Sequence, residues 1–120
     1  MDNHIHIIWQ IKGDIKTPEV QKQFLEGCSK HIKSDLEMYH PNVLPFFKSS
    51  QNDRSYHFWK RCAKSIELYD DSIFEQKLDY IHHNPVKAGL CNLPEEYLYS
   101  SAKYYESVVF NDEILTHYRG

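Results

Sequence analysis

His4–Ile11 reads HIHIIWQI, and it alternates strictly. Ile5, Ile7, Trp9 and Ile11 share one face; His4, His6, Ile8 and Gln10 share the other. A period of two is the mark of a half-buried strand. Gly13-Asp14 ends it. Thr17-Pro18 then reads as an N-cap and a first-turn proline. Val20, Phe24, Cys28, Ile32 and Leu36 recur in steps of four, which predicts an amphipathic helix to about Tyr39, stopped by His40-Pro41. Residues 41–54 read as loop, and Tyr56–Lys60 and Ser65–Tyr69 as further strands. A second helix is predicted to start near Ser72, with Glu75 completing a capping box. Phe74, Leu78 and Ile81 are its apolar stripe, and Pro85 should end it near His83 or Asn84. Pro94-Glu95-Glu96 reads as a first helical turn and Ser100–Glu106 as a short helix, while Val108–Phe110 is ambiguous. Strand, helix, strands, helix is an α+β order.

The chain has 120 residues, which predicts a single domain over 1–120. With 41% hydrophobic and 26% charged residues, it does not read as disordered. No apolar run approaches a membrane span, and Met1–His4 shows no signal-peptide pattern. Cys28, Cys62 and Cys91 are far apart, which argues against a disulfide frame or zinc ribbon and for a cytoplasmic chain with free thiols. Net charge is -3, and the excess of acid lies wholly beyond residue 94. Within the neutral part, Arg54, Lys60, Arg61 and Lys64 occur with no acid between them, interleaved with Tyr56, Phe58 and Trp59. Cations for phosphates and rings for bases suit a single nucleic-acid strand. The same stretch also reads as an ordinary strand with a solvated basic edge.

His4 and His6, two apart on a strand, point the same way, with Ile5 anchoring behind. Two neutral imidazoles so placed can share one divalent cation, with a third ligand from elsewhere. Alone, such a pair is more commonly two solvated histidines. Tyr80 and Asn84, four apart on the second helix, lie on one face off its apolar stripe. Asn84 can lend an amide oxygen to a metal, and Tyr80 a phenolate that attacks phosphorus. Each residue alone also reads as packing or as a helix-ending polar group. Taken together, the two pairs suggest a metal gripping a DNA phosphate while Tyr80 attacks it. His82 and His83 are near enough in sequence to be weighed as the base, though both read more simply as surface histidines.

Met1–Trp9, MDNHIHIIW, resembles the HUH motif of single-tyrosine transposases, especially the REP-associated branch, with Asp2 where a proline is usual. Asp79–Leu90, DYIHHNPVKAGL, resembles that family's tyrosine helix, and Pro94–Ala102, PEEYLYSSA, its following segment. Phe58-Trp59-Lys60 also matches. The histidine pair is a weak signal, the tyrosine segment a highly specific one, and the matches spread over most of the chain. The resemblance implies a bacterial DNA transposase of the HUH endonuclease type, which cleaves and rejoins single-stranded DNA through a 5′-phosphotyrosine link. It implies His4, His6 and Asn84 as ligands of Mg²⁺ or Mn²⁺ and Tyr80 as the nucleophile. It implies hairpin-forming single-stranded DNA as the partner, with Arg54, Tyr56, Trp59, Lys60, Arg61 and Lys64 as the DNA-binding stretch. Tyr97, Tyr99, Tyr104 and Tyr105 match no nucleophile and read as packing or DNA-facing groups. The implied fold is ferredoxin-like, with an antiparallel sheet and helices.

In that family a strand and a helix precede the histidine motif, so the fold is expected to be incomplete at its N-terminus. A truncated gene, a start assigned too late, or a homodimer in which a second copy supplies the edge would each account for that. A non-catalytic remnant that only binds DNA is the alternative. A small His-metal hydrolase using a bound water is a third, unrelated reading.

Overall fold

Three helices carry the fold in the computed structural model, which describes residues 1–50, 52, 55–60, 63–107 and 115–117. They are α1 (Thr17–Tyr39), α2 (Asp71–Lys87) and the short α3 (Ala102–Glu106), with 3₁₀ turns at Leu44–Phe47 and Pro94–Glu96. The structure is 50% helical and only 2% strand, and no sheet forms among the described residues. This overturns the expected α+β, ferredoxin-like architecture. His4–Ile11 is not assigned as a strand, and among the described residues no backbone hydrogen bond ties it to another segment. The physical reason is that alternation selects a face, whereas a strand requires a neighbour to accept and donate its hydrogen bonds. Ile5 and Ile7 are accordingly 55% and 42% exposed. Of the predicted strands at Tyr56–Lys60 and Ser65–Tyr69, the only trace among the described residues is an antiparallel bridge between Lys48 and Tyr56. Val108–Phe110 lies outside the described residues.

The chain divides into two units. One comprises Trp9–Ile66 and is organised on α1. That helix follows its four-residue stripe and ends at the expected His40 cap, whose N–H bonds the Leu36 carbonyl. Its N-cap is Lys16 rather than Thr17, and no side chain caps it. The Trp59 indole N–H donates to the Leu25 carbonyl (3.2 Å) and to Ser29 Oγ (3.0 Å), tying its segment to α1. Trp9 meets Phe24 edge-on at 5.7 Å, and Lys33 Nζ sits 5.6 Å from the Tyr56 ring. Leu44, in the first 3₁₀ turn, is the buried apolar residue here among the described residues.

The other unit comprises Met1–Ile8 and Glu67–Gly120. Asp70, not Ser72, caps α2: its carboxylate accepts from the Ser72 N–H (2.7 Å) and the Ile73 N–H (3.3 Å). The hydrogen bonds from Ser72, and then from Ile73, hold the Asp70 carboxyl below its ordinary value. Pro85 does not end α2, which runs on to Lys87. The missing proline N–H costs one bond only, and the end is closed by a Schellman motif. The Gly89 N–H bonds the Val86 carbonyl and the Leu90 N–H the Pro85 carbonyl, both at 2.9 Å. Gly89 has φ +71°, a conformation that side chains resist. The Glu96 carboxylate accepts from the Asn92 and Leu93 N–H groups, bracing the second 3₁₀ turn.

The second 3₁₀ turn packs against both α2 and α3. His82 is buried there, contrary to its reading as a surface histidine, and its Nε2 shares a 2.9 Å hydrogen bond with Ser101 Oγ. Burial holds its imidazole below the ordinary value, with Asp79 opposing, His83 reinforcing and Glu106 opposing in turn. Ala102, next to Ser101, is also buried.

Glycine substitutions should separate conformation from packing, because a Cβ would meet nothing within 4 Å at either Gly27 or Gly89. In urea unfolding, Gly27→Ala inside α1 should stabilise by roughly 0.5–1 kcal/mol. Gly89→Ala should destabilise by about 1 kcal/mol, because it forces a side chain into the left-handed region. Titration of His82 gives a second expectation. Its folded value lies below its ordinary value of 6.5, so the unfolded chain takes up the proton first. This contribution to stability is complete above that pH and is lost as pH falls through the lowered value. His82→Gln should reduce the acid-side slope of stability against pH; an unchanged slope would show that His82 is not the group responsible.

Candidate functional site

His4, His6 and Asn84 line one hollow of about 110 Å³ in the second unit, together with Ile81, Tyr97 and Tyr99. The histidine pair and the Asn84 end of α2 thus line the same hollow, although the segment bearing the histidines is not a strand. The His4 and His6 rings are 5.1 Å apart and edge-on. His4 Nδ1 is 2.7 Å from Asn3 Oδ1. Since that oxygen can only accept, Nδ1 carries a hydrogen, and in the neutral tautomer this leaves Nε2 as the ring's acceptor. His6 is held below its ordinary value by burial first, then by His4 and the Met1 ammonium. The neutral imidazole, the form that can bind a metal, is thereby favoured.

Asn84 Nδ2 is a buried polar atom with no hydrogen-bond partner among the described residues. Buried amides seldom stay unpaired. Turning the amide about its last torsion exchanges Oδ1 for Nδ2, and an amide oxygen together with two imidazole nitrogens is a donor set for a hard or borderline divalent cation. The residues thus fit such an ion. Among the described residues no group of three or more His, Cys, Asp or Glu is placed to hold a metal.

Tyr80 stands beside this hollow. Its ring is 5.9 Å from that of His6 and edge-on to it, and the residue is 50% exposed. Lys87 Nζ lies 5.5 Å from the centre of the Tyr80 ring. Sequence spacing alone does not single out Lys87, although it lies seven residues after Tyr80 on the same helix. His82 is turned to Ser101, and His83 Nδ1 is bonded to the Asp79 carbonyl at 2.9 Å. Tyr97 and Tyr99 lie at the hollow itself, 6.0 Å apart, and the Tyr97 hydroxyl accepts from the Met1 ammonium at 2.9 Å. The Tyr105 ring lies 5.5 Å from that of His82 and 5.0 Å from that of His117.

Of the predicted DNA-binding stretch, Tyr56, Trp59, Lys60 and Lys64 belong to the unit Trp9–Ile66, with both lysines exposed. Arg54 and Arg61 lie outside the described residues. Among the described residues no helix is long and apolar enough to cross a membrane.

No family model matches the chain, and no solved structure does. The chain is similar to a Haemophilus influenzae protein provisionally named a REP-associated tyrosine transposase, 26% identical over 106 residues. The match covers 84% of this chain and 54% of that protein, so the chain spans about half the length of this curated relative. The similarity supports a relationship to the transposase family and a transposase-related function.

Proposed function

We propose that this protein acts on single-stranded DNA by tyrosine-mediated strand cleavage and rejoining. The observation that carries this reading is the placement of His4, His6 and Asn84 around one hollow with Tyr80 against His6. His4, His6 and Asn84 would hold Mg²⁺ or Mn²⁺, which when bound neutralises charge on a phosphate and polarises its ester bond. Tyr80 is exposed enough to reach a strand in solvent. Its Oη attacks phosphorus, forming the Tyr80 O–P bond as the P–O3′ bond breaks. The phenolic proton passes to solvent, and the departing 3′ oxygen takes one up to become a 3′ hydroxyl. Attack of a 3′ hydroxyl on the phosphotyrosine reverses these changes, so rejoining needs no nucleotide cofactor. Tyr56, Trp59, Lys60 and Lys64, with Arg54 and Arg61, supply the rings and cations that a strand or the foot of a hairpin would take.

The test is incubation of the full chain with Mn²⁺ and a random-sequence single-stranded DNA pool. An adduct that survives denaturing gel electrophoresis is expected, and Tyr80→Phe should abolish it. Binding without any adduct would leave only the DNA-binding remnant. Cleavage that survives Tyr80→Phe but not His6→Ala would point instead to a hydrolase using water.

A further inference from the structure

Lys87 stands over Tyr80 and has no carboxylate partner among the described residues, where the ion pairs are Lys22–Glu26 and Lys33–Glu37. Tyr80, Asn84 and Lys87 follow the spacing i, i+4, i+7, which on a helix is a single stripe. The end of that stripe is fixed. Pro85 is buried, and the Gly89 and Leu90 amides close onto Val86 and Pro85. The Lys87 backbone is therefore held two turns from the Tyr80 backbone. An exposed ammonium–ring contact is worth only about 0.5–1 kcal/mol, so a stronger anion readily displaces the ring as partner of Nζ.

DNA brings that anion. A phosphodiester presented to Tyr80 carries its negative charge on the non-bridging oxygens, next to the atom under attack. We propose that Lys87 grips this phosphate: its ammonium binds a non-bridging oxygen of the phosphodiester that Tyr80 attacks. This rests on the reading of Tyr80 as nucleophile. The ammonium orients the phosphorus toward Oη and stabilises the charge that grows on the phosphoryl oxygens. It forms and breaks no covalent bond, and it keeps its proton throughout. The structural role open to Lys87 is a favourable charge at the C-terminal end of α2, which either cation would fill.

The experiment uses the full chain and the random single-stranded pool, with adduct rate, salt dependence of binding and melting temperature as readouts. Lys87→Gln should slow adduct formation at least about tenfold, as expected for loss of a group that stabilises transition-state charge. Lys87→Arg should restore most of the rate. In metal-free buffer, Lys87→Gln should lower the slope of log affinity against log salt by about 0.7, one phosphate contact on a single strand. Lys22→Gln, on exposed α1, should change neither quantity. An unaltered adduct rate and salt slope in Lys87→Gln would overturn the assignment while leaving Tyr80 as nucleophile. A slowed rate in both variants with a lowered melting temperature would also overturn it, making Lys87 structural. No adduct from the unaltered protein would remove the Tyr80 reading, and this assignment with it.

Discussion

The hydrogen bond that buried His82 makes with Ser101 is the constraint on which the site-bearing unit depends. It spans 19 residues of sequence and ties the middle of α2 to the turn just before α3. Leaving the buried imidazole unpaired costs about 1–3 kcal/mol, a large part of a small unit's stability. Because the bond holds the segment that carries Tyr97 and Tyr99, it also shapes the hollow shared by His4, His6 and Asn84. Structure and chemistry meet on adjacent residues of one helix: Ile81, Asn84 and Pro85 face the hollow, while His82 faces Ser101.

Much of the helical fold was legible, because a helix is closed within its own sequence. The four-residue stripe of α1 and the His40-Pro41 stop needed no distant partner. The α2 boundaries were less legible. Asp70 and Ser72 are both competent caps, and the choice between them depends on the conformation of Asp70. Pro85 reads as a stop because its cost is local, whereas the compensating bonds come from Gly89 and Leu90. The sheet was not legible at all. Strict alternation over His4–Ile11 is a property of one segment, and pairing is a property of two.

The site was legible in its parts. His4, His6, Tyr80 and Asn84 were each singled out by spacing, and the structure gathers the first two with Asn84 at one hollow. Spacing alone did not show the burial of His82, since its neighbour His83 is exposed on the same helix. Nor did it bring forward Lys87, because a single exposed lysine carries no pattern until something places it over a tyrosine. The net charge of -3 was a poor guide in the same way, since local cations and not the total decide where a phosphate can sit.

The metal-site proposal is that His4, His6 and Asn84 together would hold one cation. Side-chain NMR during titration with substoichiometric Mn²⁺ tests it most directly, because a paramagnetic ion broadens the nuclei nearest to it. The His4 and His6 ring signals and the Asn84 amide should broaden first, while those of His31, His40 and His57 stay sharp. First broadening at another histidine, or none at His4 and His6, would contradict the account.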